Sequence, residues 1–228
     1  MSVVSPNLRT RVRGIAVPIA VAMGKVGLTP NGLTLIGFAI AIVAAIVAAA
    51  QIWVLAGILV VFGGVFDLFD GALARATGKA GPLGAFMDSV FDRWGEGVIY
   101  VGIAWGCVSG GFPQEAVLSA AALMSAFMVS YARAKSESEG FTPGKGMANV
   151  GLAPREVRIV ILTVGLVLTG AGGGIAERQD TVGFLFANLY AGRQPLALTL
   201  ALITVLGTIT VLQRVLHVLR QPIPEETK

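Results

Sequence analysis

Five acidic residues, Asp67, Asp70, Asp88, Asp92 and Glu96, fall within 30 residues of one another in segments that are otherwise strongly apolar. A carboxylate at mid-membrane costs about 2.5 to 3.5 kcal/mol on insertion scales, so a cluster needs a cation, a water-filled cavity or a functional reason. Asp67 and Asp70 are spaced i, i+3 and Asp88 and Asp92 i, i+4, so on helices each pair shares one face. The connection ATGKAGPL, residues 76 to 83, makes the two segments antiparallel neighbours, with the end of one level with the start of the other. Four carboxylates can therefore converge. Their repulsion in a low dielectric is resolved by hard divalent cations with oxygen ligands, which fits Mg²⁺ or Mn²⁺. Gly71 and Ala74 continue the Asp67/Asp70 face with side chains small enough to leave room for a substrate, and Arg75 offers a cation for a phosphate.

The elements that must carry these residues are membrane spans. The chain of 228 residues is 55% hydrophobic and 13% charged, with a mean hydropathy of +0.78, whereas soluble domains carry about 25% charged residues. Runs of about 20 apolar residues, the length a membrane demands, lie at about 31 to 50, 52 to 75, 84 to 108, 116 to 137, 154 to 172 and 195 to 217. Residues 8 to 24, with three arginines, a short apolar run and Pro18, suit an amphipathic helix lying at the headgroup level. The expectation is an all-α integral membrane protein of six transmembrane helices preceded by an interfacial helix, in a single domain spanning 1 to 228. Of the 17 Lys and Arg, only Arg178 and Arg193 fall on the side away from the termini, and Arg93 lies within the third span. The positive-inside rule then puts both termini, and the connection between the paired aspartates, in the cytoplasm. Basic residues scattered between spans suit anionic headgroups or phosphate substrates, not nucleic acid. The lone Cys107 and lone His217 supply no material for a thiolate or histidine metal site.

The run DLFDGALARATGKAGPLGAFMDSVFD, 67 to 92, reads D-x2-D-G-x2-A-R-x8-G-x3-D-x3-D without a missing position. It resembles the signature of the CDP-alcohol phosphotransferase family, with Asp67, Asp70, Gly71, Ala74, Arg75, Gly84, Asp88 and Asp92 at the eight fixed positions. The resemblance implies a homodimer in the plasma membrane, with a cytoplasmic active site holding two divalent ions. It makes Asp67, Asp70 and Asp88 metal ligands, and Asp92 both a ligand and the general base. Gly71, Ala74, Arg75, Gly81 and Gly84 correspond to the site for the CDP-linked donor, although members often carry Thr or Ser where this chain has Gly81. LTPNGLT, 28 to 34, resembles the family's T-P-N-x-x-T element and adds Asn31 and Thr34 to the donor site; its first residues are also ordinary helix-start residues.

SYARAKSESEG, 130 to 140, and PREVRI, 154 to 159, resemble members whose acceptor is myo-inositol phosphate, which assigns Arg133, Arg155 and Arg158 to the acceptor phosphate. Arg133 and Lys135 stand in exchanged order relative to common members, and residues 141 to 150 have no counterpart. Two further acceptors stay open, glycerol 3-phosphate and serine. A different class, a divalent-cation transporter, would need acidic groups reaching both faces, and the external connections carry only Glu115, Glu177 and Asp180.

Overall fold

The computed structural model describes residues 6–141, 147, 150–174 and 193–221, with side chains described for Gly14 and from Ala16 onward. The external connection from about 173 to 193, with Glu177, Arg178 and Asp180, lies largely outside the described residues, as do Lys145 and Lys228. The described residues form seven helices and no strand: α1 (Pro6–Lys25), α2 (Pro30–Ala49), α3 (Trp53–Ala76), α4 (Pro82–Ser109), α5 (Pro113–Ser138), α6 (Arg155–Ala171) and α7 (Arg193–Leu219).

Helices α2 to α7 coincide with the six expected apolar runs to within three residues at each end. Their starts have local causes. Thr29 caps α2 by accepting the Gly32 N–H at 3.1 Å, with Pro30 in the first turn. Pro82 and Pro113 likewise open α4 and α5. Between α3 and α4 the chain turns through Gly78 at φ +66°, a left-handed conformation that glycine adopts without a Cβ penalty.

Four helices, α2, α3, α5 and α7, are long and apolar enough to cross a membrane. Helix α4 has the length, at 28 residues, but carries Asp88, Asp92, Arg93 and Glu96. Helix α6 has 17 residues and opens on Arg155, Glu156 and Arg158. Helix α4 thus falls short on composition and α6 on length, and both carry their charges toward the N-terminal end, where they meet the site.

The main core is built from α2 to α7 and includes Ala44, Trp53, Tyr100, Ile103, Leu166 and Leu200, all nearly or fully buried. Helix α2 packs along both α3 and α4, α5 along α7, and α6 against α3 and α7. Small residues allow the closest approaches. A Cβ on Gly102 would lie 2.2 Å from the Ala45 carbonyl oxygen, and one on Gly106 2.6 Å from that of Ala48, so α4 meets the α2 backbone directly. Helix α1 rests on α3 through a second cluster in which Ala20, Leu33, Ala72 and Leu73 are buried. Where the description reaches, α1 therefore has one face against protein.

Candidate active site

The aspartates sit where α3 ends and α4 begins, at the level of the α2 and α6 N-termini. On α2, Thr34 and Gly37 share one face and meet the Asp67/Asp70 face of α3. The Thr34 hydroxyl donates to Asp70 Oδ2 at 2.7 Å, and both residues are buried. Gly37 leaves the space that Asp67 needs: a Cβ there would lie 3.4 Å from Asp67 Oδ1. The C-terminal part of α3 and the N-terminal part of α4 thus turn Asp67 and Asp92 into one cavity, with α2 packed along both helices.

Helix α6 adds what the local pattern did not indicate. Arg155 Nη1 lies 2.6 Å from Asp67 Oδ2 and 2.8 Å from Asp92 Oδ2, so a single guanidinium nitrogen bridges carboxylates on two helices. Arg93 also approaches Asp92 Oδ2, at 3.4 Å. Asp88, partly buried one turn before Asp92, feels the charges of Asp67 and Arg155. One turn deeper, Arg158 donates from Nε to Glu96 Oε1 and from Nη2 to Glu96 Oε2, both at 2.8 Å, and from Nη1 to the Ala153 carbonyl at 2.9 Å. Arg158 is 1% and Glu96 7% exposed. A cavity with about 550 Å³ of empty space, open in part to solvent, is lined by Thr34, Asp67, Asp92, Glu96, Arg155 and Arg158 together with apolar residues of α2, α3, α4 and α6.

The remaining expected donor residues lie around this mouth. Arg75 is exposed and folds back over Gly71, where a Cβ would stand 3.2 Å from its Nη1. Asn31 reaches the start of α4, with its Oδ1 3.6 Å from where a Cβ of Gly84 would be. Ala74 is partly buried on α3, and Gly81 is exposed in extended backbone just before α4. The three arginines expected at an acceptor phosphate are distributed differently from one another. Arg155 is among the aspartates; the fork of Arg158 is filled by Glu96; Arg133, on α5, pairs along its own helix with Glu137 at 2.8 Å. Lys135 pairs with Glu139 in the same manner.

Sequence reasoning had no role for Glu96, although its i+4 spacing from Asp92 put it on the aspartate face. Arg214 is one of the basic residues near the C-terminal end of the sequence. It is buried, donating to the Val150 carbonyl at 3.0 Å and also to that of Val129.

The chemistry of the donor set fits a hard divalent cation: four carboxylates from two adjoining helices, two of them already sharing a positive charge. Among the described residues no three acidic, cysteine or histidine side chains are closed around one point, and the cation at Asp67 and Asp92 is the Arg155 guanidinium.

The chain matches the CDP-alcohol phosphatidyltransferase family over residues 27–208. It is 36% identical over 169 residues to the archaetidylinositol phosphate synthase of Pyrococcus horikoshii, covering 74% of this chain and 85% of that protein. With the phosphatidylinositol phosphate synthase of Cutibacterium acnes it shares 34% identity over 206 residues, or 89% of this chain and 91% of the relative. The fold resembles the crystal structure of Mycobacterium tuberculosis phosphatidylinositol phosphate synthase with CDP-DAG bound, with a TM-score of 0.75 over 91% of this chain and 95% of that one, at 24% identity. Another structure of the same mycobacterial protein, in complex with manganese and citrate, gives 0.74 over 91% and 90% at the same identity. At that identity the likeness is one of fold, while the match over most of the chain decides the class: the chain belongs to the CDP-alcohol phosphatidyltransferase family and is a membrane enzyme of that class.

Proposed function

We propose that this enzyme transfers the phosphatidyl-type group of a CDP-linked lipid to a hydroxyl of myo-inositol phosphate, releasing CMP. The observation that carries the reading is the meeting of Asp67 on α3, Asp92 on α4 and Arg155 on α6 at one point, at the mouth of a cavity between helices. Two carboxylates beside one cation are the materials for taking a proton from an alcohol while steering an anion. The names of the relatives, inositol phosphate synthases from archaeal and bacterial sources, support an inositol phosphate acceptor.

In this reading Asp67, Asp70, Asp88 and Asp92 hold two Mg²⁺ or Mn²⁺ ions; the manganese in the mycobacterial relative supports the metal class. Bound there, the ions supply charge stabilisation to the donor diphosphate and the departing phosphate. Thr34 orients Asp70, and Asn31, Gly71, Ala74, Arg75, Gly81 and Gly84 form the rim against which the cytidine nucleotide rests. Asp92 accepts the proton of the acceptor hydroxyl as its oxygen bonds to the β-phosphorus. The bond from that phosphorus to the oxygen of the CMP phosphate breaks, and CMP leaves with the electron pair. Arg155 steers the acceptor phosphate, Arg133 of α5 is assigned to the same phosphate by the resemblance, and Arg158 stands behind Arg155 on α6.

The whole chain then forms one domain with six spans, α2 to α7, and α1 lying in the interface. It works as a homodimer in the plasma membrane, with termini and site on the cytoplasmic face, as the asymmetry of Lys and Arg supports. Charges in α4 and α6 are compatible with spanning because they pair with one another inside the bundle.

The test is CMP release by purified protein supplied with a CDP-linked lipid and, in turn, inositol phosphate, glycerol 3-phosphate, inositol and serine. Turnover is expected with inositol phosphate, to stop in excess chelator and to return with Mg²⁺ or Mn²⁺. Turnover with glycerol 3-phosphate alone would move the acceptor, and full turnover in chelator would remove the ions from the mechanism.

A further inference from the structure

Helices α4 and α6 both line the site cavity, and each finds its main partners elsewhere: α4 packs on α2 and α5, α6 on α3 and α7. Among the described residues, two ion pairs arranged as a ladder tie them directly to each other. The outer rung is Asp92 to Arg155 at 2.8 Å; the inner rung is Glu96 to Arg158, made through two nitrogens and two oxygens, each at 2.8 Å. Glu96 follows Asp92 by four residues on α4 and Arg158 follows Arg155 by three on α6, so both rungs run between the same two faces.

The rungs differ in what they leave free. Arg155 makes both of its ion pairs through Nη1 and keeps a partly exposed side chain, whereas Arg158 spends Nε, Nη1 and Nη2 on protein partners and is 1% exposed. A buried ion pair gains little net stability over a well-packed apolar pair, because desolvation offsets most of the attraction. A planar fork bonded at two points does, however, fix direction: it sets both the height of α6 against α4 and the rotation of α6 about its axis.

We infer that Glu96 is a positioning residue for the transfer reaction, acting through Arg158 to hold α6 at the height and rotation that put Arg155 between Asp67 and Asp92. This rests on the reading above, in which Arg155 steers the acceptor phosphate. Arg158 on this account influences the acceptor without touching it, and Glu96 and Arg158 work as one unit.

The experiment compares Glu96→Asp, which keeps the charge but shortens its reach, with Glu96→Gln/Arg158→Met, which removes both charges and leaves no unpaired ion in the core. Both are expected to raise the acceptor KM about tenfold, the scale of coupling within one ion-pair network, while the CDP-lipid KM stays within about twofold. Combined with Arg155→Gln, neither should add its full effect, since both act through Arg155. An unshifted acceptor KM, an equal rise for the donor, or full additivity with Arg155→Gln would overturn the inference. A readout independent of turnover is the distance between spin labels at Val90→Cys on α4 and Val160→Cys on α6, both exposed positions, in a Cys107→Ala background. That distance should shift or broaden in the two variants, and an unchanged distribution would also overturn it. If the wild-type protein turns over no acceptor in the panel, the proposed function fails; if it turns over and these variants match it, only the role of Glu96 fails.

Discussion

The Thr34 hydroxyl on α2 and the Asp70 carboxylate on α3 are bonded at 2.7 Å with both side chains buried, a link between elements 36 residues apart. A carboxylate with a fixed donor on one oxygen presents the other in a fixed direction, as a metal ligand or charged group in a site must. Thr34→Val keeps the shape of the side chain and removes the donor. A hydrogen bond to a charged group contributes about 1.5 to 3 kcal/mol, so the Mg²⁺ concentration for half-maximal activity is expected to rise roughly tenfold or more. Thr34→Ser should stay close to wild type. Titrating activity with Mg²⁺ in the two variants checks this, and equal curves would separate Thr34 from Asp70 function.

Asp92 is the carboxylate that meets both Arg155 and Arg93, and it is assigned here as the base. Asp92→Asn keeps the size and loses the proton acceptor. Turnover is expected to fall by about 10² to 10⁴, the usual contribution of a positioned base, with far less change in CDP-lipid affinity. Single-turnover CMP release together with equilibrium donor binding separates the two. Near-normal turnover in the variant would exclude Asp92 as base.

The four aspartates were legible in the sequence, because helical spacing alone says that Asp67 with Asp70, and Asp88 with Asp92, share a face. Helices α2 to α7 were legible for a similar reason: apolar runs of this length have few other uses. What the sequence did not disclose is rotational. Nothing in PREVRI says which face of α6 turns toward α4, so Arg155 and Arg158 looked alike, whereas one bridges aspartates and the other is enclosed with a glutamate 62 residues away. Arg214 shows the same limit: a basic residue near the end of a hydrophobic helix reads as a headgroup contact, yet it is 4% exposed and bonded to carbonyls of Val129 and Val150.

The contact of α4 with α2 depends on the absence of side chains. A Cβ at Gly102 would stand 2.2 Å from the Ala45 carbonyl oxygen, and the backbone cannot yield as a flexible side chain would. Gly102→Ala should therefore separate the helices, at the 1 to 3 kcal/mol typical of overpacking (roughly), and lower the unfolding temperature in detergent. Gly81→Ala, with open space around the position, is the control expected to leave that temperature unchanged. Equal unfolding temperatures for Gly102→Ala and wild type would mean that α4 can move away from α2 without cost.

Arg155 and Arg158 are both arginines on one face of α6, and their bonding patterns predict opposite tolerance to lysine. Arg155 contacts Asp67 and Asp92 through one nitrogen, Nη1. A lysine ammonium is also a single charged nitrogen, so Arg155→Lys should keep much of the function that Arg155→Gln loses. Arg158 uses Nε, Nη1 and Nη2 together, and no lysine reproduces that fork, so Arg158→Lys should be nearly as damaging as loss of the pair. For Arg155→Gln the expected rise in acceptor KM is about ten- to a hundredfold, from the loss of a charge-assisted bond to the acceptor phosphate, with the CDP-lipid KM little changed. Initial rates against inositol phosphate for the three variants decide it. A donor KM that rises with the acceptor KM in Arg155→Gln would instead assign Arg155 to the donor diphosphate, and equal tolerance of lysine at both positions would show that the fork at Arg158 is not what holds α6.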